Sequence, residues 1–205
     1  MNNKVKLLLL LAVVATSCDN GDYIQDIMLG ARSSEMILST PDAGSNVFEM
    51  VSNVDYTAYV KEGAEWLTIT EVTPTKIAFD YMANNGFKRT AKIIYSFGNR
   101  IDSTLVRQSG IYTGFVTIDK EMVDVPSEGG SYTLLVETNL LARDIDLQVS
   151  DENKIVNVVY RRNTISFDVT PSSKPDTRIY TLSLTYTDGW GAPVTTTCTM
   201  TQAPM

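Results

Sequence analysis

The chain has no histidine among its 205 residues and only two cysteines, at positions 18 and 198. Without histidine it lacks the commonest general acid or base and the commonest metal ligand of proteins. The sequence also contains no G-x-S-x-G nucleophile motif, no phosphate-binding P-loop and no dinucleotide fingerprint. These absences predict a protein that is not an enzyme and that uses no metal and no cofactor.

The richest source of oxygen ligands is the stretch 143–153, which contains Asp144, Asp146 and Asp151. A calcium loop would need a glycine where Val149 stands. Alternating aspartates are also typical of an exposed edge strand that resists aggregation, and we favour that interpretation.

Basic residues form no run of five or more, and the formal net charge is −7. Such a chain repels phosphate backbones and anionic lipid headgroups, so we expect neither nucleic-acid binding nor electrostatic docking to a membrane. With 43% hydrophobic and 20% charged residues, the composition is that of an ordinary folded protein.

The N-terminal apolar run is too short to cross a membrane, which takes about 20 residues. Residues 1–6 are basic, residues 7–14 are apolar, and three small residues follow at 15–17. This order is typical of a secretory signal peptide, which we assign to residues 1–17. Cleavage as a plain signal peptide, with no role for Cys18, is the alternative.

Ala15-Thr16-Ser17-Cys18 resembles a bacterial lipobox, in the looser form usual in Bacteroidetes lipoproteins. The resemblance implies that Cys18 carries lipid, palmitate for example, and becomes the new N-terminus. Two or three acyl chains anchor a protein stably where one does not. Residues 18–32 would then be the lipidated cysteine and a flexible tether.

The acidic residues that follow the cysteine, Asp19 and Asp22, resemble a Bacteroidetes surface-export signal. The resemblance implies an outer-membrane lipoprotein that faces the cell exterior. A periplasm-facing orientation, or an acidic spacer without a sorting role, is the alternative.

With Cys18 acylated, no disulfide is possible, and Cys198 should pack as a small hydrophobic residue beside Val194 and Met200.

Short alternating runs between turn residues recur from position 33 onward, and this pattern predicts an all-β fold. In "RTAKIIYSF" one face carries Ala91, Ile93, Tyr95 and Phe97. In "YTLSLTYT" one face carries Tyr180, Leu182, Leu184 and Tyr186. Half-buried strands of an antiparallel sandwich alternate in this way.

The chain repeats itself in order. "AGSNVFEMVSN" parallels "GGSYTLLVETN" at an offset of 86, "KIAFDY" parallels "TISFDV" at 88, and the glutamines of "VRQSG" and "MTQAP" are 94 apart. The repeat predicts two tandem immunoglobulin-like β-sandwich domains, at 33–110 and 115–205, with a linker at 111–114.

Four motifs in the first repeat, "SN", "EWLTIT", "ANNGFKRTAKIIY" and "VRQSG", resemble the BACON domain, a Bacteroidetes-associated module named for carbohydrate binding. The resemblance implies a seven-stranded sandwich and a role in recognising carbohydrate. The second repeat keeps "GGSYTLLVETN" but has no tryptophan where the first has Trp66, so it resembles a diverged BACON-like or immunoglobulin-like domain.

Aromatic rings are the residues most relevant to sugar binding, because sugar C–H faces stack on them. Trp190, in the turn "TDGWGAP", is the first candidate for ligand contact, and folding back over its sheet rim is the alternative. Tyr56 and Tyr59 are the other candidates for ligand contact; they point to opposite faces of one strand, so both cannot be buried on the same side and we expect one to be exposed. We expect Trp66 to fill the core, with ligand stacking as the alternative.

Two functions fit these features. The first is a surface lipoprotein that binds polysaccharide or mucin glycan as part of a polysaccharide-uptake system with protein partners. It predicts an exposed aromatic platform beside hydrogen-bonding side chains. The second is an anchored spacer or protein-interaction module without sugar binding. It predicts a rod whose unusual patch is an edge strand or the joint between the domains.

Overall fold

The computed structural model describes residues 26–205. The predicted signal peptide 1–17 and the lipidation site Cys18 lie outside the described residues. Within 26–205, no helix is long and apolar enough to cross a membrane.

Eight strands form the first half of the described chain. They pair in two four-stranded sheets, in the orders β1-β3-β6-β5 and β2-β8-β7-β4. Their bounds are β1 Leu29–Ala31, β2 Glu35–Leu38, β3 Gly44–Ser52, β4 Thr57–Glu62, β5 Leu67–Thr73, β6 Lys76–Tyr81, β7 Arg89–Phe97 and β8 Arg100–Gln108.

Eight further strands and one 3₁₀ helix, Ala142–Asp144, form the second half. The sheet orders are β9-β11-β14-β13 and β10-β16-β15-β12. The strand bounds are β9 Val116–Ile118, β10 Met122–Val125, β11 Gly130–Thr138, β12 Asp146–Val149, β13 Ile155–Arg161, β14 Thr164–Val169, β15 Arg178–Thr187 and β16 Pro193–Gln202.

The two halves have the same topology, strand for strand. In each, the second strand pairs in parallel with the last, while the other pairings are antiparallel. This arrangement is that of an immunoglobulin-like sandwich, so the predicted fold class is confirmed. One detail differs from expectation, because β1 lies inside the predicted tether 18–32 and pairs with β3, so regular structure begins before residue 33.

Each half has its own hydrophobic core between its two sheets. In β7, Ala91, Ile93 and Tyr95 are buried as predicted, whereas Phe97 at the strand end is partly exposed. All four predicted inward residues of β15 are buried as well. Alternation identified these faces because successive side chains of a strand point to opposite sides.

The repeat offsets of the sequence correspond to equivalent strands. β3 and β11 lie 86 positions apart, and both contain nine residues. The Ser45 hydroxyl donates to Asp80 in the first domain, and Ser131 donates to Asp168 in the second, both over 2.6 Å. The two domains therefore repeat details of side-chain bonding as well as topology.

Gln108 and Gln202 end the last strands of the two domains, and both are fully buried. The side-chain amide of Gln108 donates to the carbonyls of Asp42 and Met82, each over 3.1 Å. The amide of Gln202 donates to the carbonyl of Thr170 over 2.9 Å. Each glutamine thus ties the last strand to neighbouring loops, and these bonds satisfy a side-chain amide that is itself fully buried.

Candidate functional site

The linker 111–114 is held by hydrogen bonds at both ends. On the first-domain side, Tyr112 N donates to Gly86 O over 3.1 Å. On the second-domain side, the Asn139 amide donates to Thr113 O over 2.9 Å and the Tyr186 hydroxyl donates to Gly114 O. A connection held in this way is a fixed joint rather than a flexible tether.

The turn between β15 and β16 reaches across this joint and contacts the first domain. The Lys88 ammonium lies 2.7 Å from the Asp188 carboxylate. The Thr90 hydroxyl donates to Gly189 O over 2.6 Å. Asp188 also accepts from Trp190 N and Ala192 N, so the carboxylate shapes its own turn while it binds the other domain. We call Lys88, Thr90 and residues 188–190 the interdomain lock.

Gly189 allows the backbones of the two domains to approach each other closely in the lock. A Cβ atom at this position would lie 1.7 Å from Lys88 O, well inside van der Waals contact. Any other residue would force the backbone of one domain to move, so glycine is required here.

Trp190 lies half-buried against the first domain, where it belongs to the lock. Its indole N–H donates to Gln108 O over 3.4 Å, and Lys88 Nζ lies 4.6 Å from the ring centroid. The cation over the ring face is a cation–π contact, which is strengthened when it is shielded from water. The ring does not stand free in a loop as a platform for sugar.

The environment of Asp188 lowers the pKa of its carboxyl. Burial alone would raise this pKa, but the hydrogen bond from Lys88, the two backbone N–H donors and the Lys88 charge outweigh it. The carboxylate therefore stays ionised, and the lock stays closed, across the neutral range.

Beside the lock, a cleft of about 520 Å³ lies between the two domains. Apolar side chains in its lining are Phe87 of the first domain and Leu140, Leu141 and Val194 of the second. Polar side chains in the lining include Lys88, Asn139, Asp144, Thr187 and Asp188. The cleft therefore presents both apolar and polar groups to a ligand.

Phe87 does not stand alone at this cleft. Its ring packs against Tyr112 of the linker, with centroids 6.1 Å apart, and both rings are partly exposed. A pair of exposed aromatic rings beside a cleft is a surface on which the C–H face of a sugar can stack.

Within residues 26–205, no group of three or more metal-ligating side chains lies close enough to hold an ion.

The structure places the other predicted contact residues away from this cleft. Tyr59 is 54% exposed on the edge strand β4. Tyr56 is 9% exposed, and its hydroxyl donates to Thr73 O over 2.7 Å. The prediction that Tyr56 contacts a ligand is corrected accordingly, because its ring packs in the first core and offers no face to solvent.

Trp66 lies in the core of the first domain and is 4% exposed. Arg89 lies over its ring at 4.2 Å from the centroid and also donates to the Gln108 side chain over 2.9 Å. Trp66 thus combines core packing with a cation–π contact that closes one end of the sandwich. With the ring covered in this way, sugar stacking on Trp66 is not available.

Sequence reasoning missed the residues that form the cleft and the lock. Phe87, Lys88 and Leu140 lie in loops where no periodic pattern marks a partner, and Lys88 and Asp188 are 100 positions apart. The only signal was the turn "TDGWGAP", whose large ring indicated a contact without identifying the contacting surface.

No family model matches this chain, and no curated protein matches it. Among solved structures, a chimeric titin Z1Z2-Z1Z2 tandem has a TM-score of 0.45 and 10% identity, covering 85% of this chain and 98% of that one. A tandem of titin Ig domains has a TM-score of 0.34 and 8% identity, covering 86% and 97%.

An endo-fucoidan hydrolase from glycoside hydrolase family 107 has a TM-score of 0.35 and 12% identity over 88% of this chain. The chain spans 29% of the length of that hydrolase. At these identities and TM-scores, the similarities to solved structures support no inference about function.

Proposed function

We propose that this chain is a non-catalytic lipoprotein of the outer membrane, anchored through Cys18, which binds glycan at the cell surface. Its immunoglobulin-like fold is consistent with a non-catalytic module. The resemblance of the first domain to BACON modules supports carbohydrate as the ligand. The observation that carries the proposal is the cleft at the domain joint.

The cleft has the properties of a small saccharide site. Its volume of about 520 Å³ falls in the usual range of ligand pockets, about 300–1,000 Å³. Phe87 supplies a ring for stacking, and the exposed Asp144 carboxylate in the lining can accept hydrogen bonds from sugar hydroxyls. The Asn139 amide is already engaged with the linker, so it positions the cleft rather than the ligand.

The test is calorimetric titration of the full chain, kept in detergent, with a panel of plant polysaccharides and mucin glycans. Phe87→Ala is the probe variant, and Phe97→Ala is a matched control because both rings are 39% exposed. We expect saturable binding whose Kd rises at least tenfold in Phe87→Ala and is unchanged in Phe97→Ala. Equal binding by both variants would exclude the cleft as the site.

A second candidate function, an anchored spacer or protein-interaction module, is favoured by a different observation. The linker bonds and the interdomain lock hold the two domains as a fixed pair, which is a property that a spacer needs. A flat titration across the whole panel, with the protein folded by circular dichroism, would reject glycan binding and leave this function in its place.

A further inference from the structure

We propose that a groove at the end of the second domain opposite the linker binds the carboxylate or sulfate groups of an acidic polysaccharide. This ligand class rests on the proposed glycan-binding function, but the site is separate from the cleft at the joint. The same position is built differently in the two domains.

In the first domain, this position is closed by Arg89 and Trp66. Arg89 begins β7 and pairs with Gln108 in register, and its guanidinium covers the Trp66 ring at 4.2 Å. Trp66 and the following residue, Leu67, both donate backbone N–H bonds to Gly63 O. The aromatic ring fills the space below the cation.

In the second domain, Arg178 and Lys154 stand in the equivalent places. Arg178 begins β15 and pairs with Gln202, as Arg89 pairs with Gln108. Lys154 and the residue after it donate backbone N–H bonds to Asp151 O, so Lys154 takes the place of Trp66. An aromatic ring has been replaced by a second cation, and the cation–π pair is lost.

The result is an open groove of about 650 Å³ with a basic lining. Of the described residues, three cations line it, Lys154, Lys174 and Arg178, together with one carboxylate, Asp151. Among the described residues, none of the three cations lies within 4.0 Å of a carboxylate oxygen. In a chain of net charge −7, a cationic groove is a local exception.

Two of these cations are partly shielded from water. Lys154 and Arg178 are half-buried, and within residues 26–205 the Lys154 ammonium makes one hydrogen bond, a long one of 3.5 Å to Pro171 O. A partly desolvated cation without a counter-ion is unfavourable, so an anion that enters the groove gains more than it would at the open surface. Arginine presents paired donors that match a carboxylate or sulfate in particular.

The walls of the groove are fixed and carry hydroxyl groups suited to sugar. The Lys174 backbone is held by Ser172 Oγ over 3.3 Å and by Met205 N, which donates to Lys174 O over 3.0 Å. Ser173 and Thr177 add exposed hydroxyls to the lining. β15 separates the groove from the joint by about 30 Å, at about 3.3 Å per residue, so a ligand here does not compete with one at the cleft.

The test compares polygalacturonate and chondroitin sulfate with a neutral galactan, titrated into the full chain in detergent at low and high salt. The probe variant is Lys154→Met/Arg178→Met, which keeps the aliphatic stems. The matched control is Lys61→Met/Arg100→Met, because these exposed cations of the first domain carry the same charge and have no ion pair within the described residues.

We expect both acidic polymers to bind, with a Kd that rises at least tenfold in the probe variant and at most twofold in the control. Added salt should weaken this binding steeply because the contacts are ionic. Equal losses in both variants would indicate general charge attraction and overturn the site. The proposal would also be overturned if the neutral galactan bound and the probe variant lost that binding.

Two more outcomes are decisive. If polyglutamate binds as tightly as polygalacturonate and depends on the same two cations, the site binds acidic peptide and the polysaccharide class is wrong. If Phe87→Ala abolishes binding of neutral glycan but leaves acidic binding intact, the cleft and the groove are independent, so either proposal can fail without the other.

Discussion

Lys88 and Asp188, one from each domain, form a 2.7 Å ion pair across the joint, and the Asp188 side chain is only 10% exposed. Burial raises the pKa of Asp188, yet the donors around it lower that pKa below its ordinary value. Because the locked state holds the ionised form, its stability is complete above the ordinary aspartate pKa of about 3.9. This stabilisation is lost as the pH falls through the lowered pKa of Asp188.

We therefore expect the relative orientation of the domains to be constant at neutral pH and to loosen in acid below that range. Residual dipolar couplings from both domains measure this relative orientation. Asp188→Asn should loosen the joint at neutral pH and remove its dependence on acid, whereas Asp124→Asn, at an exposed position of β10, should leave it unchanged. An acid transition that persists in Asp188→Asn would assign it to another group.

Gly189→Ala should open the joint without unfolding either domain. The new Cβ would meet Lys88 O at 1.7 Å, and this contact cannot be relieved by moving a flexible side chain. Small-angle scattering should show a larger radius of gyration, with the circular dichroism spectrum unchanged. Gly30→Ala is the control, because a Cβ there meets nothing within 4 Å. Equal scattering from both variants would show that the lock does not set the domain arrangement.

Gln202→Met should lower the free energy of unfolding of the second domain by about 1–3 kcal/mol. The substitution removes the donor to Thr170 O and leaves that partly buried carbonyl without its partner. Gln108→Met should have a similar effect on the first domain. Urea denaturation measures both, with Gln148→Met at an exposed position as the control. A neutral effect of Gln202→Met would mean that water replaces the lost donor.

Trp66→Ala should cost the first domain about 3–5 kcal/mol, as expected for a buried tryptophan. Trp66→Phe should cost less, because it keeps a ring beneath Arg89. Trp190→Phe should leave the unfolding free energy of the first domain near its original value and affect the joint instead. A similar loss of first-domain stability in Trp190→Phe would show that the two domains unfold as one unit.

Thiol titration tests both cysteines at once. Cys198 is fully buried, and burial raises the pKa of its thiol, with Asp119 adding to the effect, so it should not react in the native protein. If Cys18 carries lipid on sulfur, the native chain should show no reactive thiol and the denatured chain one. One reactive thiol in the native chain, with two after denaturation, would contradict lipidation of Cys18.

Local patterns account for the parts of the fold that were predictable. The alternation in β7 and β15 identified the buried faces, and the ordered offsets of 86, 88 and 94 identified equivalent strands. Period-two alternation placed Tyr56 and Tyr59 on opposite faces, but it did not tell which of the two rings points into the core. The Tyr56 hydroxyl finds its acceptor at Thr73, a partner that no local pattern reveals.

The amino-acid order alone was enough for the class of fold, the two repeats and the inward faces, because these depend on spacing between neighbours in the chain. The lock, the cleft and the basic groove depend on residues brought together by folding. Trp190 acts at the joint because it meets Gln108, which lies 82 positions away. The groove is open because Lys154, and not an aromatic ring as in the first domain, lies beside Arg178 in its lining. Contacts of this kind follow from how strands and loops pack, and the alternation of apolar and polar residues along the sequence carries no information about them.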